Sequence, residues 1–248
     1  METVPIGLLG LAEQLREMLR AIKSKAIFSR GDLSRDLVAD YFERRTVASG
    51  ATLSDVIASA SHSYARLICT AIPEFKFLFD ETQTSTVIDF GCGNAALLQV
   101  LRRLGFAGDY IGYDINTAII SKLGIERVAD DSQKYTSILP SSGADVVFLI
   151  NVLAYTTDND IPDLLRSVAA LVKSSGILIV ADPSPSWRWE TRFDRLSLRL
   201  RRLDDVDIAL CDLGFKLRES WQASVGSLYG HTVLPFAWLG AWRNDRSL

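Results

Sequence analysis

Cysteine and histidine are scarce in this 248-residue chain. It has three cysteines, Cys69, Cys92 and Cys211, and only two histidines. Because the cysteines are far apart and odd in number, they fit neither a metal-ligand spacing nor a disulfide framework, and we expect a reducing cytoplasm and no bound metal. The net charge of −3 gives no general attraction to phosphate backbones. This argues against a nucleic-acid substrate.

Long apolar runs, repeats and low-complexity segments are also missing. The first twelve residues lack a positively charged leader, and Glu13 interrupts them before a long apolar run develops. We therefore expect neither a signal peptide nor a membrane-spanning helix. A hydrophobic fraction of 48% at this length predicts one large core with an appendage, or two small domains.

Residues 1–80 are predicted to form an all-helical cap. Apolar residues recur at helical spacing between Leu8 and Ile22, and no strand pattern precedes Thr86. The amphipathic face is expected to pack on the main domain or on a second copy of the chain, which would give a homodimer. His62 falls opposite the apolar stripe of its helix. It is therefore either a solvated surface residue or a residue that faces the substrate cleft.

One stretch has the pattern of a ligand-binding turn. The apolar run from Val87 to Phe90 is followed by Gly91 and Gly93 and then by apolar residues at helical spacing, which predicts strand, tight turn and helix. Glycine lets the backbone bend sharply and approach a bound molecule, while N–H groups that open the helix point at that molecule. A nucleotide-like cofactor is the predicted ligand.

Two cofactor classes use such a turn. Gly91-x-Gly93-x-x-Ala96, with Asp114 roughly 20 residues further on, satisfies the dinucleotide pattern of NAD(P)-dependent oxidoreductases. Asp89 argues against that class, because a carboxylate there would repel a pyrophosphate. Asp89-Phe-Gly-Cys-Gly93 instead resembles the first motif of the class I S-adenosylmethionine (SAM) dependent methyltransferase family. A carboxylate suits the cationic sulfonium and α-ammonium of SAM.

The alternation of strands and helices after residue 81 predicts a mostly parallel sheet covered on both faces. The resemblance further implies a Rossmann-like α/β fold with seven strands, the last of them antiparallel. The predicted domain spans residues 81–248, with a helical insertion at about 183–213.

The resemblance also implies which residues bind SAM and release S-adenosylhomocysteine (SAH). The cofactor-binding candidates are Asp89, Gly91, Cys92, Gly93, Asp114, Ile115, Asp130, Asp131, Asn151 and Val152. Asp114 would accept the ribose hydroxyls, although it could instead cap a helix. Asp130 or Asp131 would contact the adenine, in a register uncertain by one residue and with helix capping as the competing role.

The sequence motifs for the residues that would contact the acceptor are less specific. Asn151, Val152 and Tyr155 would border the methionine end of SAM and the acceptor, although Tyr155 could simply pack. A predicted hairpin before the last strand would bring His231 to the acceptor as general base, and a structural role competes. His62 and Tyr155 are the other catalytic candidates. An amine, thiolate or activated carbon acceptor could react without a base.

Five arginines form a second stripe beside the apolar stripe of the predicted insertion helix: Arg188, Arg192, Arg195, Arg199 and Arg202. They are either a solvated basic face or a dock for an anionic substrate or partner. The sequence as a whole predicts a SAM-dependent methyltransferase that acts on a small molecule. An NAD(P)-dependent oxidoreductase and a non-catalytic scaffold of the same fold remain the alternatives.

Overall fold

A computed structural model of the chain describes residues 2–6, 68, 71–80, 85–93, 95–115, 128–129, 143–184, 200–225 and 234–246. The strands are β1 (Glu2–Ile6), β2 (Thr86–Phe90), β3 (Asp109–Tyr113), β4 (Val128–Ala129), β5 (Ala144–Ile150), β6 (Val172–Pro183), β7 (Phe215–Val225) and β8 (Leu234–Asn244). Three helices have both ends described: α1 (Ala96–Arg103), α2 (Ile161–Leu171) and α3 (Leu203–Cys211). Residues 71–75 are also helical, and 3-10 turns lie at Lys76–Phe79 and Leu153–Tyr155.

The described strands form one mixed sheet in the order β1-β7-β8-β6-β5-β2-β3-β4. Neighbouring strands are parallel except where β8 runs antiparallel to β6 and to β7. The predicted α/β sheet and its antiparallel last strand are therefore confirmed. The strand order reverses between β2 and β5, and ligands of open α/β sheets bind beyond the carboxyl ends of strands at such a point.

The predictions of seven strands and of an all-helical N-terminal region are wrong at one place. Residues Glu2–Ile6 form an eighth strand that pairs in parallel with β7, from Glu2 opposite Trp221 to Ile6 opposite Val225. This strand has no amphipathic alternation of its own, and its hydrogen-bond partners lie more than 200 positions away in the chain. Pro5 is compatible with it because β1 lies at the edge of the sheet. The predicted helices between Leu8 and Leu67 lie outside the described residues.

Two hydrophobic clusters cover the sheet because successive side chains of a buried strand point to opposite faces. On one face, Val87 and Phe148 pack with Leu97 and Leu101 of α1. Phe75 is fully buried there, and its ring meets the Phe148 ring edge-on at a centroid distance of 5.6 Å. The other face packs against α2 and α3. Burial on both faces explains the apolar run in residues 146–150 of β5.

Candidate functional site

The turn after β2 is fastened to the end of β3. Gly91 and Cys92 both donate their backbone N–H to the Tyr113 carbonyl, over 2.7 and 3.0 Å. The Gly93 N–H donates to the Asp114 Oδ2 over 2.7 Å. These three N–H groups therefore have protein partners. The sequence predicted backbone donors aimed at a ligand from this region, and the N–H groups of the turn itself do not fill that role.

The two glycines of the turn have different surroundings. Both have a positive φ, 83° at Gly91 and 50° at Gly93. A Cβ at Gly91 would lie 2.3 Å from the Val152 Cγ2, whereas a Cβ at Gly93 would meet no atom of the described residues within 4 Å. Gly91 thus lets the residue that leaves β5 pack on the turn, while Gly93 borders open space. The open side of Gly93, next to the Asp114 carboxylate, is where a ligand can approach the backbone.

Asp89 is a buried carboxyl at the carboxyl end of β2, only 3% exposed. It accepts a hydrogen bond from the Tyr110 hydroxyl over 2.5 Å. Burial raises the pKa of Asp89 from its ordinary value of 3.8 to about 7; the Tyr110 hydrogen bond opposes this increase, and the charge of Asp114 adds to it. Near neutral pH the group therefore exchanges readily between its neutral and ionised forms.

Negative charge is concentrated around the turn. Burial raises the pKa of the Cys92 thiol well above its ordinary value, and the charges of Asp89 and Asp114 raise it further. The thiol therefore stays neutral and acts as a small packing group. Two carboxyls beside a turn whose N–H groups are already paired form a site that attracts a cation and repels an anion.

The segment after β5 reaches the same rim of the sheet. Asn151 adopts a left-handed conformation with φ 57°, and its N–H donates to the Ala181 carbonyl over 2.7 Å. Val152 contacts Gly91 as described above, and the 3-10 turn Leu153–Tyr155 follows. Tyr155 is half-buried, as are Asn151 and, at the end of β3, Ile115. The structure thus brings the exit of β5 to the glycine turn. The roles of these residues toward a cofactor or an acceptor remain predictions.

Sequence reasoning missed Arg201, which braces the turn after β5. Its guanidinium donates to the carbonyl of Leu153 and, over 2.7 Å, to the carbonyl of Thr156. It also pairs with Asp158 over 2.8 Å, and its side chain is 10% exposed. Arg201 holds the 3-10 turn that carries Tyr155. No sequence signal distinguishes it from the neighbouring arginines, because the contact spans more than forty positions.

Asp182 lies near this brace at the carboxyl end of β6. It is fully buried, and within the described part of the chain neither carboxyl oxygen has a hydrogen-bond partner. Burial raises its pKa well above the ordinary value, which the backbone of Ala154 and the charge of Arg201 only partly offset. Asp182 is therefore a buried carboxyl whose neutral form the protein favours.

The predicted helical stripe of arginines is wrong at its last member, Arg202. Residues 200–202 are not helical, and Arg202 has the extended φ of −80° and ψ of 148° at the N-cap of α3. Its exposed side chain pairs with Asp204 over 3.2 Å. Asp204 and Asp205 start a new helix here, because acidic residues are favoured at a helix N-terminus. Arg202 therefore does not continue a helical stripe from residue 199.

Several predicted site residues lie outside the described residues: His62, Asp130, Asp131, His231, Arg188, Arg192, Arg195 and Arg199. Within the described ranges, no three His, Cys, Asp or Glu side chains come together as metal ligands would. None of the helices described in the structure has the length and apolar character needed to cross a membrane.

Comparison with known proteins identifies relatives of this arrangement. Residues 61–207, more than half of the chain, match the family described as "Methyltransferase domain". The chain is 32% identical over 102 residues to the ribosomal protein L11 methyltransferase of Cupriavidus taiwanensis. It is 32% identical over 108 residues to the ubiquinone biosynthesis O-methyltransferase of Rhodopseudomonas palustris. These matches cover 40% and 41% of this chain, and 33% and 41% of the respective relatives, so the chain spans less than half the length of each.

A solved structure matches over a larger part of the chain. Magnesium protoporphyrin IX methyltransferase from Synechocystis, with bound SAH, is similar with a TM-score of 0.57 and 15% sequence identity. The match covers 84% of this chain and 98% of that one. At this identity the similarity concerns the fold, which is that of the class I SAM-dependent methyltransferases and confirms the resemblance seen in the sequence.

Proposed function

Because the chain belongs to the methyltransferase domain family, we propose that it is an enzyme that transfers a methyl group from SAM to a small-molecule acceptor. SAH would be the second product. The supporting observation is the pair of carboxyls, Asp89 and Asp114, at a glycine turn whose N–H groups are already paired.

The same observation favours SAM over a dinucleotide as the ligand of the glycine turn. A dinucleotide site presents backbone N–H groups to a pyrophosphate at this turn. Here the N–H groups of Gly91, Cys92 and Gly93 donate within the protein, and the Gly93 donor is bonded to a carboxylate. A pyrophosphate would lose these donors and face negative charge. This argues against the NAD(P)-dependent oxidoreductase alternative.

The residues present fit SAM. Asp89 would accept the α-ammonium, Asp114 would accept ribose hydroxyls, and the open side of Gly93 leaves room for the ligand to approach the backbone. Asn151 and Val152 would border the methionine end, and Ile115 would pack beside the ribose. The adenine contacts proposed for Asp130 and Asp131 lie outside the described residues. When bound, SAM supplies a methyl group that its sulfonium has already activated.

The chain itself mainly has to align the acceptor and exclude water. Tyr155, on the braced turn after β5, is the described candidate for contact with the acceptor, and His231 and His62 remain proposals for a general base. A small acceptor is consistent with the net charge of −3, which offers no affinity for nucleic acid. The methylated atom and a role in natural-product biosynthesis are also proposals, as are a cytoplasmic location and a homodimer through the N-terminal helices.

Ligand-dependent melting tests the cofactor. A ligand that binds the folded state raises the melting temperature, by an amount that grows with its concentration relative to Kd. We expect SAH to raise the melting temperature of the full chain and NAD to leave it unchanged. Stabilisation by NAD alone would contradict the proposal. Transfer of a labelled methyl group from SAM to a small molecule in an extract of the source organism would then identify the acceptor.

A further inference from the structure

Tyr110 reaches Asp89 across a glycine. In the pairing of β2 with β3, Asp89 lies opposite Gly112, and Tyr110 is two residues before Gly112 on the same face. A Cβ at Gly112 would lie 2.9 Å from the Cys92 Sγ and 3.4 Å from Cε1 of the Tyr110 ring. The missing side chain therefore leaves room mainly for the Cys92 thiol, while the Tyr110 ring lies at an ordinary contact distance. The Tyr110 hydroxyl donates to the Asp89 Oδ2 over 2.5 Å.

The surroundings of Asp89 otherwise oppose its ionisation. Opposite it on β5 lies Phe148, which is apolar. Cys92 on the turn is a neutral thiol, and the charge of Asp114 disfavours a second charge nearby. Among the described residues, Tyr110 is the group whose hydrogen bond favours the ionised form. The fold thus places one hydrogen-bond donor on a carboxylate that burial would otherwise keep neutral.

The hydrogen bond also restrains the carboxylate. It takes one of the roughly four lone-pair positions that an ionised carboxylate offers, so acceptor capacity remains for a cationic ligand. A carboxylate held at one oxygen loses less conformational freedom when that ligand binds. Tyr110 is itself buried, with 5% of its surface exposed, so its own contact with a cofactor is not required by this arrangement.

We propose that Tyr110 is a positioning residue for the cofactor, whose hydrogen bond favours the ionised form of the Asp89 carboxylate and keeps it in place for the α-ammonium of SAM. The inference rests on the proposed function, because it requires the cationic end of SAM at Asp89. It makes the affinity for SAM and SAH depend on pH. Affinity falls as the pH decreases and Asp89 takes up a proton, since the neutral acid attracts the ammonium less.

Replacing Tyr110 by phenylalanine keeps the ring and removes the donor. Loss of one hydrogen bond to the charged form is expected to move the pH profile of SAH binding upward by about one pH unit, which is about tenfold in Kd on the acidic side. At alkaline pH, where Asp89 is ionised in both proteins, the two Kd values should converge. A purely structural role of Tyr110 would instead weaken binding by the same factor at every pH.

The experiment is calorimetric titration of the full chain with SAH between about pH 6 and pH 8.5, for the wild type and Tyr110→Phe. A parallel titration uses 5′-methylthioadenosine, which lacks the amino-acid part and therefore the ammonium. We expect the upward shift for SAH and the same Kd in both proteins for methylthioadenosine. Equal weakening at all pH values, or equal weakening for both nucleosides, would overturn the inference.

A double-mutant cycle tests whether Tyr110 affects SAH binding through Asp89. In an Asp89→Asn background there is no carboxylate to ionise, so Tyr110→Phe should change the Kd for SAH less than twofold. A tenfold further loss in that background would show that Tyr110 acts independently of Asp89 and would overturn the inference. Wild-type protein that binds neither nucleoside would overturn the proposed function, and the inference with it. Wild-type protein that binds SAH without these differences would overturn the inference alone.

Discussion

Replacing Asp89 by asparagine is expected to stabilise the ligand-free protein and to weaken its binding of SAH. Asparagine has nearly the same shape as aspartate, and its carbonyl can still accept the hydrogen bond from Tyr110. It carries no charge, so the cost of burying an ionised carboxylate disappears. The substitution therefore separates the stability of the fold from the electrostatic requirement of the site.

The magnitude follows from the pKa of Asp89, which the fold raises from 3.8 to about 7. Between these values the folded state binds more protons than the unfolded state, so the stability of the wild type decreases as the pH rises through this range. A difference of about three pH units at 1.36 kcal/mol each gives ~4 kcal/mol. The variant should lack this pH dependence, match the wild type near pH 4 and be more stable by up to ~4 kcal/mol above pH 7.

Urea denaturation of both proteins at a series of pH values measures this difference. Asp109→Asn is the matched control, because Asp109 is an exposed carboxylate at the start of the neighbouring strand β3. Its effect should stay within ~0.5 kcal/mol at every pH. The reasoning would be refuted if Asp89→Asn kept the pH dependence of the wild type, or if it were the less stable protein at pH 8.

Two further pairs of substitutions test the geometry of the rim by denaturation. Gly91→Ala should destabilise the fold by more than ~2 kcal/mol, because the new Cβ would meet Val152 in addition to the strain of a positive φ. Gly93→Ala has the strain without the clash and should destabilise by only ~1 kcal/mol. Equal losses of stability would contradict the different surroundings of the two glycines. Arg201→Met should destabilise by ~2 kcal/mol, because it removes donors from two carbonyls of the turn after β5, whereas the exposed Arg202→Met should change stability by less than ~0.5 kcal/mol. Similar losses for the two arginines would exclude a bracing role of Arg201.

Much of the site could be predicted because its parts are local or follow from the direction of parallel strands. The strand, turn and helix around Gly91 are specified by glycines and by apolar spacing within one short stretch. Asp89 lies near the carboxyl end of β2 and Asp114 directly follows β3, and the carboxyl ends of parallel neighbours meet at one edge of the sheet. The sequence therefore predicts that these two carboxyls lie close together. Val152 belongs to the same argument, since β5 pairs with β2.

The contacts that the sequence did not predict depend on positions far apart in the chain. Arg201 looks like its neighbours in the sequence and differs only in having two carbonyls within reach. Strand β1 carries too short a pattern to be recognised, and its partner β7 is more than 200 positions away. The extended backbone at Arg202 was not predicted because Leu200 and Leu203 continue the apolar spacing, while Asp204 and Asp205 favour a helix start.

The amino-acid sequence by itself determined the order of the described strands and helices after residue 85 and the chemical character of the turn, because both depend on residue type and short-range spacing. Only the tertiary structure decided that Tyr110 controls Asp89. That contact requires the pairing of β2 with β3, which places Tyr110 diagonally opposite Asp89. Burial of the carboxyl, which sets its pKa, likewise arises only when the whole sheet is assembled and covered on both faces.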